Sequence, residues 1–227
     1  MQSLSIRLKT IADCVPTGSK VCDVGTDHGY LAIYLKSQGK AQSVIAADLN
    51  EKPLKRAEEN IARAGVSGIS LRLCDGLEGI TENEADTVII AGMGGEVISG
   101  ILERGAHIRK GVTFILQPTT SPEALRQFLC KNGFEIEKEI PVSENGKVYS
   151  VMVCRFFGES LIKDTAFYYV GLVSPDSEAG LLYIKKQKKR LSDCICALEN
   201  TGNKSTLYFE YRNALEGIDK LLLQYGE

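Results

Sequence analysis

An alternation constrains this chain more than any other feature. Short apolar runs occur at residues 20–24, 44–47, 69–73, 86–91 and 112–116, with helix-length amphipathic patterns at 29–38, 53–64, 95–108 and 121–132. Strands that are apolar throughout are buried on both faces, which requires helices above and below a parallel sheet. Two more strand-like runs, 134–142 and 147–156, are joined through Asn145-Gly146, a two-residue hairpin signal. Five β-α repeats followed by a hairpin predict an α/β fold: a doubly wound, Rossmann-like sheet with an antiparallel C-terminal edge.

Outside the alternation the patterns are helical. Leu4, Ile6, Leu8, Ile11, Ala12 and Val15 suit a short helix that Pro16-Thr-Gly18 stops. After Phe157-Gly158 the composition shifts. Leu181, Ile184, Leu191, Ile195 and Leu198 recur at three- and four-residue spacing, with Lys188 interrupting, and so do Leu207, Tyr211, Ala214, Ile218, Leu222 and Tyr225. With Asn200-Thr-Gly-Asn203 between them, these read as an antiparallel, coiled-coil-like helix pair. The expected division is therefore 1–158 for the sheet domain and 159–227 for a small helical domain.

Net charge is about -2, so a nucleic acid would have to be held by a local patch. The seven Cys form no C-x-x-C pair, which argues against zinc. Cys22, Cys74 and Cys154 lie in apolar runs and read as small buried hydrophobes. No signal peptide opens the chain, and no apolar run reaches the ~18 residues of a membrane span. The expectation is a reduced, cytoplasmic setting with no membrane and no metal.

In doubly wound sheets, ligands bind beyond the carboxyl ends of the strands, where strand order reverses. The first strand ends in Asp23-Val-Gly25, followed by Thr26-Asp27-His28-Gly29. A dinucleotide site would carry G-x-G-x-x-G here. Only Gly25 and Gly29 are present, and two acids are added, which would repel a pyrophosphate. They suit a ligand with an ammonium and a sulfonium, so S-adenosylmethionine is favoured over NAD. Purely structural roles also exist: Asp23 bonding turn N–H groups, Asp27 capping the helix. Strand two ends in Asp48, placed for ribose hydroxyls, and strand three runs into Asp75-Gly76, which is either an adenine contact or an Asp-Gly turn. Strand four runs into Gly92-Met-Gly-Gly95, where backbone can approach a base or a carboxylate closely, and strand five ends in Gln117-Pro118.

The stretches Asp-Val-Gly-Thr-Asp-His-Gly-Tyr-Leu (23–31), Ala-Asp-Leu-Asn (47–50), Cys-Asp-Gly-Leu (74–77), Ile-Ala-Gly-Met-Gly-Gly (90–95) and Ile-Leu-Gln-Pro (115–118) resemble the bacterial TrmK family. Those proteins are S-adenosylmethionine-dependent tRNA (adenine-22-N1)-methyltransferases. The resemblance covers the whole chain, because the family also has a helical, coiled-coil-like C-terminal domain. It departs in having Asp48 where the family often has Glu, and Thr119 where the family often has Asn. The resemblance implies cofactor contacts from Asp23, Gly25, Thr26, Gly29, Tyr30, Asp48, Leu49, Asp75, Gly76, Ala91, Gly92 and Met93. It implies tRNA contacts from Arg7, Gly94, Gly95, Gln117 and the run Lys185, Lys186, Lys188, Lys189, Arg190.

Adenine N1 carries a lone pair at neutral pH and needs no strong general base. The enzyme has to align it and stabilise the cation that forms. Asp27 is the candidate for that charge, and His28 for orienting Asp27 or touching the base; a turn histidine bonded to backbone is the alternative for His28. Tyr30 and Met93 either offer a surface for the exposed base or belong to the core. The expected partner is tRNA, with the chain a monomer or weak homodimer. Competing readings are a small-molecule methyltransferase, an NAD-dependent oxidoreductase and a non-catalytic RNA-binding protein. The lack of a closed lid, the acidic turn and the acids at successive strand ends weigh against them in that order.

Overall fold

The protein is described here from a computed structural model covering residues 4–202 and 204–226. Asn203, assigned to the turn between the tail helices, lies outside the described residues. In chain order the helices are α1 (Ile6–Cys14), α2 (Tyr30–Ser37), α3 (Glu51–Ala64), α4 (Gly95–Arg104), α5 (Pro122–Lys131), α6 (Thr165–Val170), α7 (Glu178–Asn200) and α8 (Thr206–Gln224). The strands are β1 (Ser19–Val24), β2 (Ala41–Asp48), β3 (Ile69–Leu73), β4 (Thr87–Gly94), β5 (Thr113–Thr120), β6 (Phe134–Glu144) and β7 (Lys147–Phe156). They form one seven-stranded sheet, ordered β3-β2-β1-β4-β5-β7-β6. β1 to β5 pair in parallel, and β7 and β6 run antiparallel at the edge.

The two-residue period of the strands divides the core between two faces. Cys22, Val24, Ile45, Val88, Ile90, Phe114 and Leu116 pack with Ile98, Leu102, Leu125 and Leu129 of α4 and α5. Their neighbours Val21, Val44, Ala46, Ile89 and Ile115 pack on the other face with Ile11, Ala12, Leu31 and Leu35 of α1 and α2. Asn145 and Gly146 both take positive φ (51° and 71°), as a tight hairpin turn of the favoured hand requires.

Two local expectations are corrected. The connection from β3 to β4 carries no helix; it is a set of turns that covers the sheet with buried Leu77 and Ile80. The pattern over 95–108 is broken at Gly105, after which one short 3-10 turn follows. A Cβ at Gly105 would lie 2.5 Å from Leu77 Cδ1, so the close approach of that turn requires glycine. The helix α6 lies where no pattern was read, because it is too short to show a period. Cys22 and Cys154 are buried as expected, whereas Cys74 is half-buried.

The tail packs on the antiparallel edge. Tyr169, Val170, Tyr183, Ile184, Leu191, Ala214, Ile218 and Leu222 form one apolar cluster that includes Val148 of β7. Beneath it, Arg126 of α5 and Glu139 of β6 form an ion pair (2.9 Å) with both side chains fully buried. Arg126 also donates to the Tyr168 and Tyr169 carbonyls and the Tyr183 hydroxyl, and Glu139 accepts from the Leu172 N–H at 2.7 Å. A charge pair so placed is tolerable because nearly every donor and acceptor is used. Lys188, which interrupts the apolar stripe of α7, reaches Asp219 of α8 at 2.7 Å.

Candidate active site

Strand order reverses between β1 and β4, and the turns that follow these strands meet around a cavity of about 300 Å³. Asp23, Gly25, Thr26, Asp27, His28 and Tyr30 line one side; Ala91, Gly92 and Arg7 line the other. The turn after β1 is held to β2: the Gly25 and Thr26 N–H groups donate to the Ala47 carbonyl at 2.8 and 3.0 Å. Gly25 has φ +73° and its backbone lies against Met93 Cε. Asp27 takes φ +50°, which an L-residue adopts at some strain and which Asp tolerates better than most.

The two acids of this turn have different environments. Asp23 is buried and accepts a hydrogen bond from the Thr26 hydroxyl at 2.7 Å. Burial pushes its carboxyl up to about 6; the Thr26 bond opposes the rise and the Asp48 charge adds to it. Asp27 is 65% exposed, with its carboxylate 3.5 Å from His28 Nε2. The His28 ring stacks on Tyr30, with centroids 5.3 Å apart and planes 17° apart.

Asp48 sits just behind, its two oxygens taking the Asn50 N–H at 3.0 Å and the Asp27 N–H at 3.4 Å. Leu49 is exposed beside it, and Gly29 lies against Ala57 of α3. Asp75 is further out and pairs with Arg104 at 3.0 Å, while Gly76 packs on Ile101. Met93, half-buried, fills the space under Gly25 and packs against the core.

Several residues expected to touch RNA have other positions. Gln117 is fully buried; it accepts from Arg7 Nη1 and the Gly92 N–H, and donates to the Pro118 carbonyl at 2.8 Å. It therefore braces the cavity wall. Arg7 is committed to the same wall, bonded to Gln117, 3.6 Å from Glu144 and over the Tyr149 ring. Gly95 is buried: a Cβ there would lie 2.2 Å from the Ser121 carbonyl oxygen. At Gly94 the added Cβ would meet Thr120 Oγ1 at 3.0 Å. Arg190 bridges to Glu123 of α5 at 2.7 Å and lies over Tyr169, making it a strut between tail and sheet. Lys189 pairs with Asp193 within its own helix, and Lys188 with Asp219, so the basic run is partly neutralised; Lys185 and Lys186 are exposed.

The sequence reading missed Asn60, Glu144 and Tyr149. Asn60 of α3 donates to the His28 carbonyl at 2.9 Å and so holds the acidic turn from behind. Nothing in the local pattern marks these residues, because each reaches the site from a distant element. Thr119, at the position where the family often has Asn, donates to the Met93 carbonyl at 3.0 Å.

The glycines permit a stability prediction. Gly95→Ala is expected to destabilise the fold by about 1–3 kcal/mol, since a backbone carbonyl must move aside. Gly25→Ala displaces only the mobile end of Met93, leaving the positive-φ strain of about 1–2 kcal/mol. Thermal melts compare the two; a Gly95→Ala protein that melts like the wild type would show that the contact with Ser121 relaxes freely.

Among the described residues no helix is long and apolar enough to cross a membrane, and no group of three His, Cys, Asp or Glu side chains is arranged to hold a metal ion. A "Methyltransferase domain" family profile matches residues 4–152. The tRNA (adenine(22)-N(1))-methyltransferase of Bacillus subtilis is 36% identical over 193 residues, 83% of this chain and 81% of its own length. The crystal structure of the B. subtilis m1A22 tRNA methyltransferase TrmK superposes with a TM-score of 0.85 at 28% identity, over 97% of this chain and 99% of that one. A Streptococcus pneumoniae protein solved in complex with S-adenosyl-L-methionine gives a TM-score of 0.81 at 30% identity, over 97% and 100% of the two chains. Sequence agreement over most of both chains and a matching fold over nearly their whole lengths show that this chain belongs to the TrmK family of tRNA (adenine-22-N1)-methyltransferases.

Proposed function

We propose that this protein transfers the methyl group of S-adenosylmethionine to N1 of adenosine 22 in tRNA. The observation that carries the reading is the cavity at the strand reversal, where one glycine turn presents a buried carboxylate and an exposed one. The residues present fit the cofactor. Asp23 is a buried acid that its surroundings hold back from ionising, and an ammonium group would reverse that. Arg7, on the facing wall, suits a carboxylate. Asp48 uses its oxygens for two backbone N–H groups and retains lone pairs for ribose hydroxyls.

When bound, S-adenosylmethionine supplies an electrophilic methyl group. The chain's own residues then have two tasks. One is alignment, which the tethered turn and Asn60 serve by fixing Asp27 and His28. The other is stabilising positive charge on the base, which Asp27 serves from the mouth of the cavity with His28 beside it. The tail contributes Lys185 and Lys186 as exposed charges for phosphates. Incubating unmodified tRNA transcripts with labelled cofactor, followed by nucleoside mass analysis, tests the assignment. Label that persists after adenosine 22 is replaced by another base would overturn it.

A pH dependence follows from Asp23. Its folded-state value of about 6 lies above the ordinary 3.8, so the stability it contributes is present below about pH 4 and is lost as pH rises through about 6. A cationic ligand prefers the ionised form, so cofactor affinity is expected to rise through the same window and then level off. Asp23→Asn should flatten that rise. Calorimetric titrations from about pH 5 to about pH 7.5 check it, and parallel curves for the two proteins would remove Asp23 from the ammonium site.

A further inference from the structure

A second cavity, of about 360 Å³, lies behind the first, between α2 and α3. Leu4, Tyr30, Ile33, Tyr34, Asn60 and Arg63 line it. Tyr30 lines both cavities and, at 39% exposure with His28 stacked on its ring, forms a partition between them. Asn60 joins the two sites. Its amide nitrogen donates to the His28 carbonyl, and its oxygen accepts from Arg63 Nη1 at 3.1 Å, which fixes the guanidinium at the exposed mouth. The cavity thus has apolar walls, two aromatic side chains and one oriented cation.

Those components match a nucleotide. A base stacks on an aromatic ring whatever its identity, and a guanidinium pairs with a phosphate in a fixed fork. A base drawn out to meet the methyl group leaves its neighbour without a stacking partner, and that neighbour needs a new platform. We propose that this second cavity receives the base of a nucleotide flanking the target adenosine, with its phosphate on Arg63. The proposal rests on the RNA methyltransferase reading above and deepens it. Continuity through Tyr30 and the charge of Arg63 favour an RNA occupant over a free small molecule.

The test pairs protein variants with altered RNA. Full-length wild type, Tyr34→Ala and Arg63→Ala are assayed on tRNA substrates that carry an abasic site at one or the other nucleotide flanking the target. For wild type, one of the two abasic substrates should lose roughly tenfold in kcat/KM, the scale of one base–aromatic stack. Tyr34→Ala should lose a similar factor on intact tRNA and little more on that abasic substrate, whereas Arg63→Ala, whose phosphate partner an abasic nucleotide retains, should lose the same factor on both. S-adenosylmethionine affinity should be unchanged in both variants. Tyr34→Ala losses that multiply at both flanking positions would overturn the cavity assignment, as would variants that lose cofactor affinity in step with activity. If Tyr34→Ala fails to fold, Tyr34→Leu carries the same comparison. A wild-type protein that methylates no transcript overturns the functional reading itself, whereas normal methylation with multiplying losses overturns the cavity alone.

Discussion

Asp27→Asn is expected to lower the single-turnover rate of methyl transfer by about two to three orders of magnitude, the usual scale for removing one preorganised charge partner of a transition state. S-adenosylmethionine affinity should change far less. The reason lies in the division between the two acids of the turn. Asp23 is buried and bonded to Thr26, where it can serve a tightly held ammonium. Asp27 is exposed, on a strained backbone position whose N–H is tied to Asp48, so its carboxylate is held at the mouth. On the proposed function, positive charge that grows on an incoming base is stabilised from there, and the ground-state cofactor gains little. Asn is the informative replacement because it tolerates the same left-handed backbone. Single-turnover kinetics and calorimetry on one preparation measure both quantities. Equal losses would make Asp27 a cofactor residue.

Glu139→Ala should destabilise the protein by about 3–5 kcal/mol, the penalty for leaving a buried charge without its partner. Arg126 would keep its two carbonyls and the Tyr183 hydroxyl but lose its counter-charge, and the Leu172 N–H would lose its acceptor. At two to four degrees per kcal/mol for a chain of this size, the melting temperature should fall by roughly 10 °C. The residues that meet at this pair come from α5, β6, β7, α6, the turn after it and α7, so the tail should loosen from the sheet first. Hydrogen exchange in α6 and α7 would register that before global unfolding. Replacing both partners, Arg126→Met with Glu139→Leu, should recover much of the loss, because no unpaired charge remains. A Glu139→Ala protein within about 1 kcal/mol of wild type would show that water reaches the pair.

The sheet was legible because its signals are local. A strand with both faces covered is apolar along its length, and β1, β2, β4 and β5 are such strands. The hairpin was legible from two residues, Asn145 and Gly146, whose backbone preferences leave little choice of turn. The helix α6 was not, because six residues span fewer than two turns and show no period. The ion pairs of the basic run of α7 were not legible, for a related reason. Its charges are adjacent in sequence, but the acids that bind Lys188 and Arg190 sit on α8 and α5.

The acidic turn at 23–29 shows the same boundary within the site. By itself the sequence determined that two carboxylates, a histidine and two glycines stand at the end of a buried strand, since chain connectivity alone puts them there. The fold class follows too, because each element carries its own burial pattern. The tertiary structure decided what each side chain faces. It buried Asp23 and exposed Asp27, turned Gln117 and Arg7 into cavity walls, packed Gly95 against Ser121, and brought Asn60 to the back of the turn. It also joined Arg126 to Glu139 and so fixed the tail to the sheet. Burial and pairing depend on which distant surfaces meet, and periodicity carries no information about distant surfaces.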